Sequence, residues 1–473
     1  MYDFGPPISA RAASFETRNP ARSGDVIGRY GAFNKDSVSQ LMKVARAAQR
    51  TWAALPDTAR LTTLAAWVSA LDAKVEEIAR AITLEQGKPL NEARGETMKS
   101  LDEARQMLAI AAQPLGAVHG SARAGVLPLS LRRPRGIIVA ITPWNFPVLT
   151  PMRKIIPALA FGNAILLKPS ELTPAAACIL AEIGKGILPD GLLQILPGDG
   201  ELGAALVASG AEGVTFTGSV PTGRMVYRAA AESLAELSLE LGGKNAAVIH
   251  DAPDLDKCLD QIAAAAFLCS GQRCTAISRV IVRRDLAATV TEGLVARAEA
   301  LVPGDGLEQG VTLGPLVSAD HRDRVAALVN AGRDAGARCC TGGTALSKDL
   351  LVNGHFYAPT ILDQMAPDNP AAREEIFGPV ISVLPYDSIS EAFDLLNNTE
   401  FGLTSALFSA DVRVVNKFVA ESASGMLHVN HGSTPDSNMP FVGIRNSGVG
   451  ACSVGPGAAA FYTTQHAVYL GEP

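Results

Sequence analysis

The stretch that decides the fold is GIIVAITPWNFPVLTPMRKIIPALAFGNAILLKPS, residues 136–170. Its two ends, GIIVAIT (136–142) and AILLKPS (164–170), are short apolar runs. Two similar runs follow, LLQILPG (192–198) and GVTFTGS (213–219), and helical stretches separate them. Strands and helices that alternate at this spacing predict an α/β fold with a doubly wound parallel sheet, which binds ligands at the carboxyl ends of its strands.

The regions on either side extend the same fold class. The first 115 residues read as helices, with apolar residues at helical spacing over 36–55, 57–85 and 91–113. An alternating stretch at 127–134 predicts a strand or hairpin, and the β-like tail at 461–470 is a candidate partner for it or for another subunit's edge. A second α/β domain starts at residue 245. It has predicted helices over 254–268, 285–301 and 318–336, and predicted strands at 245–253 and near 278–283, 357–362 and 380–384.

Composition and charge exclude several classes of protein. Of the 473 residues, 48% are hydrophobic and 19% are charged, and the net charge is −6 with both signs interspersed, so no nucleic-acid surface is expected. No apolar segment has the length of a signal-peptide core or a membrane span. The seven cysteines lack zinc-like spacing. We therefore expect no metal site, no disulfide framework and a cytoplasmic setting.

Three residues at turns and strand ends are candidates for catalysis. Cys274, in GQRCTA beside Arg273, is a candidate nucleophile because a reachable thiol near a positive charge ionises more readily. Glu240, between two leucines, is expected to have a raised pKa if it is buried, which suits a general base. Asn145, in ITPWNFP, is a candidate donor to an oxyanion. Taken singly, each has a plainer alternative: a buried thiol, a solvated carboxylate and an amide that caps its own turn.

Two further motifs at strand ends suit a nucleotide. FTGSVPTGR places Gly218 and Ser219 at the start of a helix, where backbone N–H groups attract an anion, although the GxGxxG spacing is absent. KPSELTP places Lys168, Ser170 and Glu171 after a strand. There they are candidates to hold ribose hydroxyls, and the alternative is that they only face water.

The joint occurrence of these motifs carries more weight than any one of them. PWNFP, KPSELTP, FTGS, ELGGKN, GQRC, EEIFGPV and NSGVG follow one another along nearly the whole chain. Asn145 and Glu240 are 95 residues apart, and Glu240 and Cys274 are 34 apart. In this order and spacing the chain resembles the aldehyde dehydrogenase superfamily, and within it the succinate semialdehyde and ketoglutaric semialdehyde dehydrogenases.

The resemblance implies NAD(P)-dependent oxidation of an aldehyde to a carboxylic acid. Cys274 attacks the aldehyde carbon, Asn145 and the Cys274 backbone N–H hold the oxyanion, and Glu240 activates the water that hydrolyses the resulting thioester. A carboxylate at Glu171 accepts a hydrogen bond from a free 2′-hydroxyl but repels a 2′-phosphate, which favours NAD over NADP. The residues that the resemblance assigns to the cofactor are Trp144, Lys168, Ser170, Glu171, Gly218, Ser219, Glu375 and Phe377.

The resemblance constrains the substrate through three residues. Arg153, in PMRK, matches an arginine that binds the distal carboxylate of semialdehydes in some relatives, and the alternative is that it pairs with an acidic neighbour. The second arginine of that pair is replaced by Leu268. With His431 in the polar loop 428–440, these residues favour a short, polar aldehyde such as a carboxylated semialdehyde.

The resemblance also implies a domain plan. The plan has a Rossmann-type NAD-binding domain (1–113 and 134–243), a catalytic α/β domain (244–447) and a small β oligomerisation element (114–133 and 456–473). It implies a homodimer or a homotetramer.

The chain departs from the usual sequence of the family at three places. Val442 stands where a glycine is common, and Arg445 where a lysine is common. Ala451 and Cys452 occupy the place of a second carboxylate, which leaves Glu240 as the assigned base.

Two alternatives stay open at this point. A CoA-acylating dehydrogenase of the same fold would pass the acyl group to CoA instead of water, and Glu240 argues against it. A non-catalytic binding or structural protein of the same fold is expected to lack at least one of Cys274, Glu240 and Asn145, and all three are present.

Overall fold

Strands and helices alternate along most of the chain, as predicted. The computed structural model describes residues 2–4, 11–347 and 349–471. The strands are β1 (Tyr2–Phe4), β2 (Arg11–Asn19), β3 (Arg22–Phe33), β4 (Ala117–Val118), β5 (Val126–Pro134), β6 (Ile137–Ile141), β7 (Ala164–Lys168), β8 (Leu193–Ile195), β9 (Gly213–Thr217), β10 (Glu236–Glu240), β11 (Asn245–Ile249), β12 (Ile277–Arg283), β13 (Arg338–Thr341), β14 (Thr360–Asp363), β15 (Val380–Tyr386), β16 (Thr404–Phe408), β17 (Met426–Val429), β18 (Gly448–Gly450) and β19 (Thr463–Gly471).

Helices connect most of these strands. They are α1 (Val38–Ala53), α2 (Asp57–Asp72), α3 (Val75–Gln86), α4 (Leu90–Ala111), α5 (Leu149–Ala160), α6 (Ala175–Gly184), α7 (Gly200–Val207), α8 (Val220–Ala231), α9 (Leu255–Phe267), α10 (Ala287–Glu299), α11 (Ala319–Asp334), α12 (Pro370–Arg373), α13 (Ile389–Asn397), α14 (Val412–Glu421) and α15 (Ala458–Tyr462). Over the described ranges, no helix is both long enough and apolar enough to cross a membrane.

The four apolar runs of the sequence become β6 to β9 and form one sheet, which confirms the doubly wound arrangement. The strand order of this first sheet is β18-β10-β9-β6-β7-β8. Its neighbours are parallel except for β18, which pairs antiparallel with β10. The parallel strands are almost completely buried because helices cover both faces, as in other parallel sheets.

The predicted N-terminal helices form and pack on this sheet. The indole N–H of Trp52 in α1 donates to the Leu159 carbonyl in α5, at 2.7 Å. That of Trp67 in α2 donates to the Leu180 carbonyl in α6, at 3.2 Å. Both tryptophans belong to the core that the first sheet builds, so the early helices and the sheet share one hydrophobic core.

The helical prediction for the first 115 residues is wrong over 11–33. These residues form the antiparallel strands β2 and β3, joined by a turn at Pro20 and Ala21. Exposed and buried side chains alternate from Glu16 to Asn19, which is the period of a strand and not of a helix. A buried carboxylate on α3, Glu85, accepts hydrogen bonds from both strands and fixes the hairpin there.

The second sheet contains the strands predicted after residue 245. Its order is β13-β14-β15-β12-β11-β16-β17, and β13 alone is antiparallel to its neighbour. Helices α9, α10 and α11 lie where the sequence predicts them. The chain passes from the first sheet to the second between Glu240 and Asn245, in the motif ELGGKN.

A third, smaller sheet has the order β19-β5-β4. The tail strand β19 pairs antiparallel with β5, from Thr463 opposite Pro134 to Gly471 opposite Val126, so the predicted pairing of the tail within the chain is confirmed. The sheet exposes large apolar side chains, among them Val118 and Tyr469, which are 70% and 72% exposed. The predicted domains also include residues 1, 5–10, 348, 472 and 473, which lie outside the described residues.

Candidate active site

A cavity of about 320 Å³ lies where loops of the first and second sheets meet. The first sheet supplies the loops that follow β6, β9 and β10, and the second sheet supplies the loops that precede β12 and β15. The predicted site residues that line it are Trp144, Asn145, Arg153, Gly218, Ser219, Glu240, Leu268, Cys274, Glu375 and Phe377. The parallel topology thus brings together motifs that lie far apart in the sequence.

A strained turn carries the Cys274 loop into the cavity. Cys269, Ser270 and Gly271 all have left-handed backbone angles, with φ of 55°, 54° and 71°. A Cβ at Gly271 would lie 2.1 Å from the Gly378 carbonyl oxygen, so only glycine fits. Such strain persists only where the surroundings hold it, as they do around many functional sites.

Hydrogen bonds fix the backbone of Cys274 itself. The side-chain amide of Asn245, at the start of β11, donates to the Cys274 carbonyl at 2.7 Å and to the Ala276 carbonyl at 2.9 Å. Within the part of the chain that the structure describes, the Cys274 N–H has no protein acceptor. This N–H is therefore free to donate to a ligand in the cavity.

The Cys274 thiol is protonated near neutral pH, which corrects the expectation that Arg273 ionises it. Burial, the largest cause, and the Glu375 and Glu240 carboxylates together raise the pKa of the thiol to about 12. The Arg153 and Arg273 guanidinium groups lower it, but less than burial raises it. A nucleophile in this setting must lose its proton as it attacks.

Asn145 follows β6 and points its amide at the nucleophile loop. Its Nδ2 donates to the Gln272 carbonyl at 2.8 Å, which leaves the second amide hydrogen for another acceptor. The backbone carbonyl of Asn145 accepts a hydrogen bond from the buried Lys88 ammonium at 2.8 Å. Lys88 in turn contacts Glu96 at 2.6 Å, and Glu96 accepts from two backbone N–H groups at the start of α5.

Glu240 ends β10 as a buried carboxylate. Thr217 Oγ1 donates to its Oε2 at 3.0 Å, Ser453 Oγ donates to its Oε1 at 2.8 Å, and the Lys154 ammonium lies 3.9 Å from Oε2. Burial alone raises the pKa of Glu240, but Lys154, Arg153 and the two hydroxyl donors outweigh it and leave the pKa below the usual range. The prediction that burial raises the pKa of Glu240 is wrong, because the sequence alone does not show that Lys154 of α5 lies beside the carboxylate.

The other side of the cavity fits a nicotinamide dinucleotide. Gly218 and Ser219 precede α8, and the Ser219 hydroxyl caps that helix by accepting from Thr222 N–H. The rings of Trp144 and Phe377 meet edge to face, with centroids 5.5 Å apart. The partly buried Glu375 accepts from Gly243 N–H at 2.9 Å and leaves its second oxygen for another donor. A helix N-terminus, aromatic walls and a spare carboxylate oxygen suit pyrophosphate, ring and ribose.

Lys168, Ser170 and Glu171 lie together at the end of β7, outside the cavity lining. Lys168 Nζ is 3.4 Å from Glu171 Oε2, and Ser170 Oγ accepts from Leu172 N–H. Lys168 is buried, whereas the side chain of Glu171 is 55% exposed. The Glu171 carboxylate is therefore available to a ligand that passes the end of this strand.

Of the three predicted substrate residues, two line the cavity and one does not. Leu268 lines the cavity and is 41% exposed. Arg153 also lines it, but its guanidinium forms two hydrogen bonds with the Glu103 carboxylate, at 2.6 and 2.7 Å, so the alternative of an acidic partner is confirmed. The prediction for His431 is wrong. The chain turns after β17, so His431 is exposed, stacks on His428 and does not line the cavity.

Several lining or supporting residues were missed. Arg273 was noted only as a neighbour of the thiol, yet its buried guanidinium lines the cavity. Lys154 stands within the apolar run of α5, a signal that could have marked it. His321 lines the cavity, and burial lowers its pKa to about 4 while its Nε2 contacts the Phe377 carbonyl at 2.8 Å. For Ser453 no pattern in the sequence gave a signal.

Comparisons with known proteins show the family of this chain. The model of the aldehyde dehydrogenase family matches residues 8–468. The alpha-ketoglutaric semialdehyde dehydrogenase of Bacillus subtilis (strain 168) is 32% identical over 459 residues, which cover 96% of this chain and 94% of that one.

Solved structures share the fold. Betaine aldehyde dehydrogenase of Staphylococcus aureus, in complex with NAD+, matches with a TM-score of 0.94 and 26% identity, covering 97% of this chain and 94% of that one. An NADP-dependent enzyme of E. coli matches with a TM-score of 0.94 and 30% identity, covering 97% and 95%. With its two parallel sheets, its cavity and a family match along nearly its whole length, this chain belongs to the aldehyde dehydrogenase family.

Proposed function

We propose that this protein oxidises a short, polar aldehyde that carries a carboxylate, and that it releases the corresponding acid. The observation that carries this proposal is the convergence of Cys274, Asn145 and Glu240 on one cavity. A nucleophile, an oxyanion donor and an ionised base are the three groups that acyl transfer to water requires.

In the first step, the Cys274 sulfur attacks the aldehyde carbon and its proton leaves. We assign this proton to solvent water, so that Glu240, which is ionised and lines the same cavity, is kept as the base for the later hydrolysis. Asn145 Nδ2 and the Cys274 N–H donate to the oxyanion that forms. The product is a thiohemiacetal on Cys274.

We assign the cofactor to the wall that contains Trp144, Gly218, Ser219, Glu375 and Phe377. A nicotinamide dinucleotide held by these residues would supply the hydride acceptor for the oxidation. Lys168, Ser170 and Glu171, at the end of β7, are the proposed contacts of the adenosine ribose. NAD is preferred because the exposed Glu171 carboxylate repels a 2′-phosphate.

In the last step, water hydrolyses the thioester on Cys274. Glu240 takes a proton from that water, since its carboxylate is ionised over the pH range of most cytoplasmic proteins. Transfer to CoA needs no such base, so the buried Glu240 favours hydrolysis over a CoA-acylating reaction. Cys274→Ala is expected to abolish NADH formation at 340 nm, and Glu240→Gln to give about one NADH per site and then stall. Full turnover by either variant would contradict the mechanism.

Arg273 is the group that we assign to the substrate's carboxylate. Its guanidinium is buried and donates a hydrogen bond to Thr275 Oγ1, at 3.2 Å. Across the described residues, no carboxylate lies within ion-pair distance of it. A buried cation without a counter-ion is costly, and a ligand carboxylate would satisfy it. Arg153 is less suited because Glu103 already occupies its guanidinium.

The name of the Bacillus subtilis relative supports this class of substrate, since alpha-ketoglutaric semialdehyde carries carboxylate. Hydrogen bonds to charged groups contribute ~1.5–3 kcal/mol. Arg273→Leu is therefore expected to lower kcat/KM for succinate semialdehyde by roughly 10- to 150-fold. Butanal, an uncharged aldehyde of the same chain length, is the control and should change by less than about threefold, a loss of under ~0.7 kcal/mol. An equal loss for both aldehydes would refute the assignment.

We also propose the predicted division of labour among three of the four sheets, β1-β3-β2 being the fourth. The first sheet binds the dinucleotide, the second carries Cys274, and the third joins subunits into a homodimer or homotetramer through its exposed apolar side chains. The seven cysteines are free thiols, which is consistent with a reducing, cytoplasmic setting.

A further inference from the structure

The carboxylate of Glu240 is held from both of its oxygens. Ser453 Oγ donates to Oε1 at 2.8 Å, and Thr217 Oγ1 donates to Oε2 at 3.0 Å. Ser453 is fully buried. A carboxylate with one donor can turn about its last bond, whereas donors on both oxygens fix its plane.

A distant segment of the chain brings Ser453 to this place. Strand β18 pairs with β10 so that Gly448 lies opposite Glu240. At Gly450 the chain bends with a φ of +87°, and a Cβ there would lie 1.9 Å from the Leu237 carbonyl oxygen, so only glycine allows the bend. Three residues later, Ser453 reaches the carboxylate. The position of Ser453 is therefore built by the sheet edge and does not depend on a loose loop.

We propose that Ser453 is a positioning residue for thioester hydrolysis, which holds the Glu240 carboxylate in the orientation that takes a proton from water. This inference rests on the proposed function. Ser453 touches neither Cys274 nor the cofactor wall, and it is not among the residues that line the cavity. It therefore acts through Glu240, and its loss should slow hydrolysis without slowing the attack of Cys274 on the aldehyde.

A donor to an ionised carboxylate also favours its charged form. The groups that face Glu240 are Lys154 and Arg153 from α5, Cys274, Cys452 and Tyr462. The two cations favour the carboxylate. The two thiols and the phenol have raised pKa values, so they are neutral near pH 7 and do not titrate in the acid range. Loss of the Ser453 donor should therefore move the acid limb of kcat to higher pH.

The test uses the full-length enzyme, succinate semialdehyde and NAD. Ser453→Ala is expected to keep the rate of the first turnover and to lower steady-state kcat by about tenfold, the loss of one hydrogen bond to a charged group. Acid-quenched samples should then contain acyl adduct on Cys274 by intact-protein mass spectrometry. Ser69→Ala, the same substitution at an exposed serine of α2 outside the site, should leave both rates unchanged.

Ser453→Cys separates hydrogen bonding from packing, because a thiol fills the space but is a weak donor. It should resemble the alanine variant if the bond matters, and it also carries the test if the alanine variant does not fold. A variant that keeps wild-type kcat and acid limb, or that loses the first turnover and kcat in parallel, would overturn the proposal. Failure of the proposed function would look different, since the wild-type enzyme would then form no adduct and no acid.

Discussion

Replacing Lys88 by methionine removes the ammonium group that ties helix α4 to the Asn145 loop. Lys88 Nζ lies 2.6 Å from Glu96 Oε2 and 2.8 Å from the Asn145 carbonyl oxygen, and 4.1 Å from the centroid of the Phe146 ring. The side chains of Lys88 and Glu96 are each 1% exposed. Methionine keeps most of the aliphatic stem, so the change tests the charge and its hydrogen bonds more than the packing.

The expected cost follows from what is left behind. Without Lys88, the Glu96 carboxylate stays buried with two backbone donors, Val148 and Leu149, but without a counter-ion. Removal of one partner of a buried pair costs about 3–5 kcal/mol, which includes the unpaired charge that remains. We expect a loss of that size in the free energy of unfolding. We also expect a lower kcat/KM, because the loop that aims Asn145 loses its anchor.

The assay is urea unfolding followed by tryptophan fluorescence, at one fixed chain concentration. The control is the double variant Lys88→Met with Glu96→Gln, which removes both charges but keeps an oxygen for the two backbone donors. The double variant should recover at least half of the loss, since an amide costs much less to bury than a carboxylate. A single variant within about 1 kcal/mol of the wild type, or a double variant that is no more stable than the single one, would refute the reasoning.

Two further predictions concern the nucleophile and the cofactor. Because burial raises the pKa of Cys274 to about 12, the thiolate fraction of the free enzyme is small at neutral pH and grows about tenfold per pH unit. Alkylation of Cys274 by iodoacetamide, followed on its peptide by mass spectrometry, should rise in the same way from pH 7 to 10, and a rate that is flat over this range would contradict it. Glu171→Gln removes a repulsion of about 1–2 kcal/mol toward a 2′-phosphate, so kcat/KM for NADP relative to NAD should rise roughly 5- to 30-fold. An unchanged ratio would show that Glu171 does not contact the ribose.

The sequence predicts the parallel strands well because each is a short apolar run that ends in a turn. The same topology explains why Asn145 and Glu240, at the carboxyl ends of two strands of the first sheet, lie near one edge. Cys274 precedes β12 of the second sheet, and it was grouped with them in advance through the order and spacing of the motifs that resemble the family. The early hairpin was missed because its strands lie on the surface. Exposed and buried side chains alternate over only four residues, from Glu16 to Asn19, and the polar Thr17 is buried because it donates to Glu85 on α3.

The electrostatics of the site were the hardest part to predict. The state of Glu240 depends on Lys154 in α5 and on Ser453 near the tail, and neither contact follows from local pattern. Likewise, a charged side chain in the sequence does not reveal its partner. The packing of α4 against α5 gives Arg153 its partner Glu103, whereas Arg273 has no carboxylate partner among the described residues.

The site is completed late in synthesis, because strand β18 is made long after the strand β10 with which it pairs. The other strands of the first sheet come from residues 137–240, whereas β18 comes from 448–450. While the nascent chain leaves the ribosome, the outer edge of β10 therefore stays open, and such an edge can pair with foreign strands. Pairing across so many residues is slow to form. A chain that is still being made already contains the Cys274 thiol, but Glu240 gains its second anchor only after residue 453 has been added.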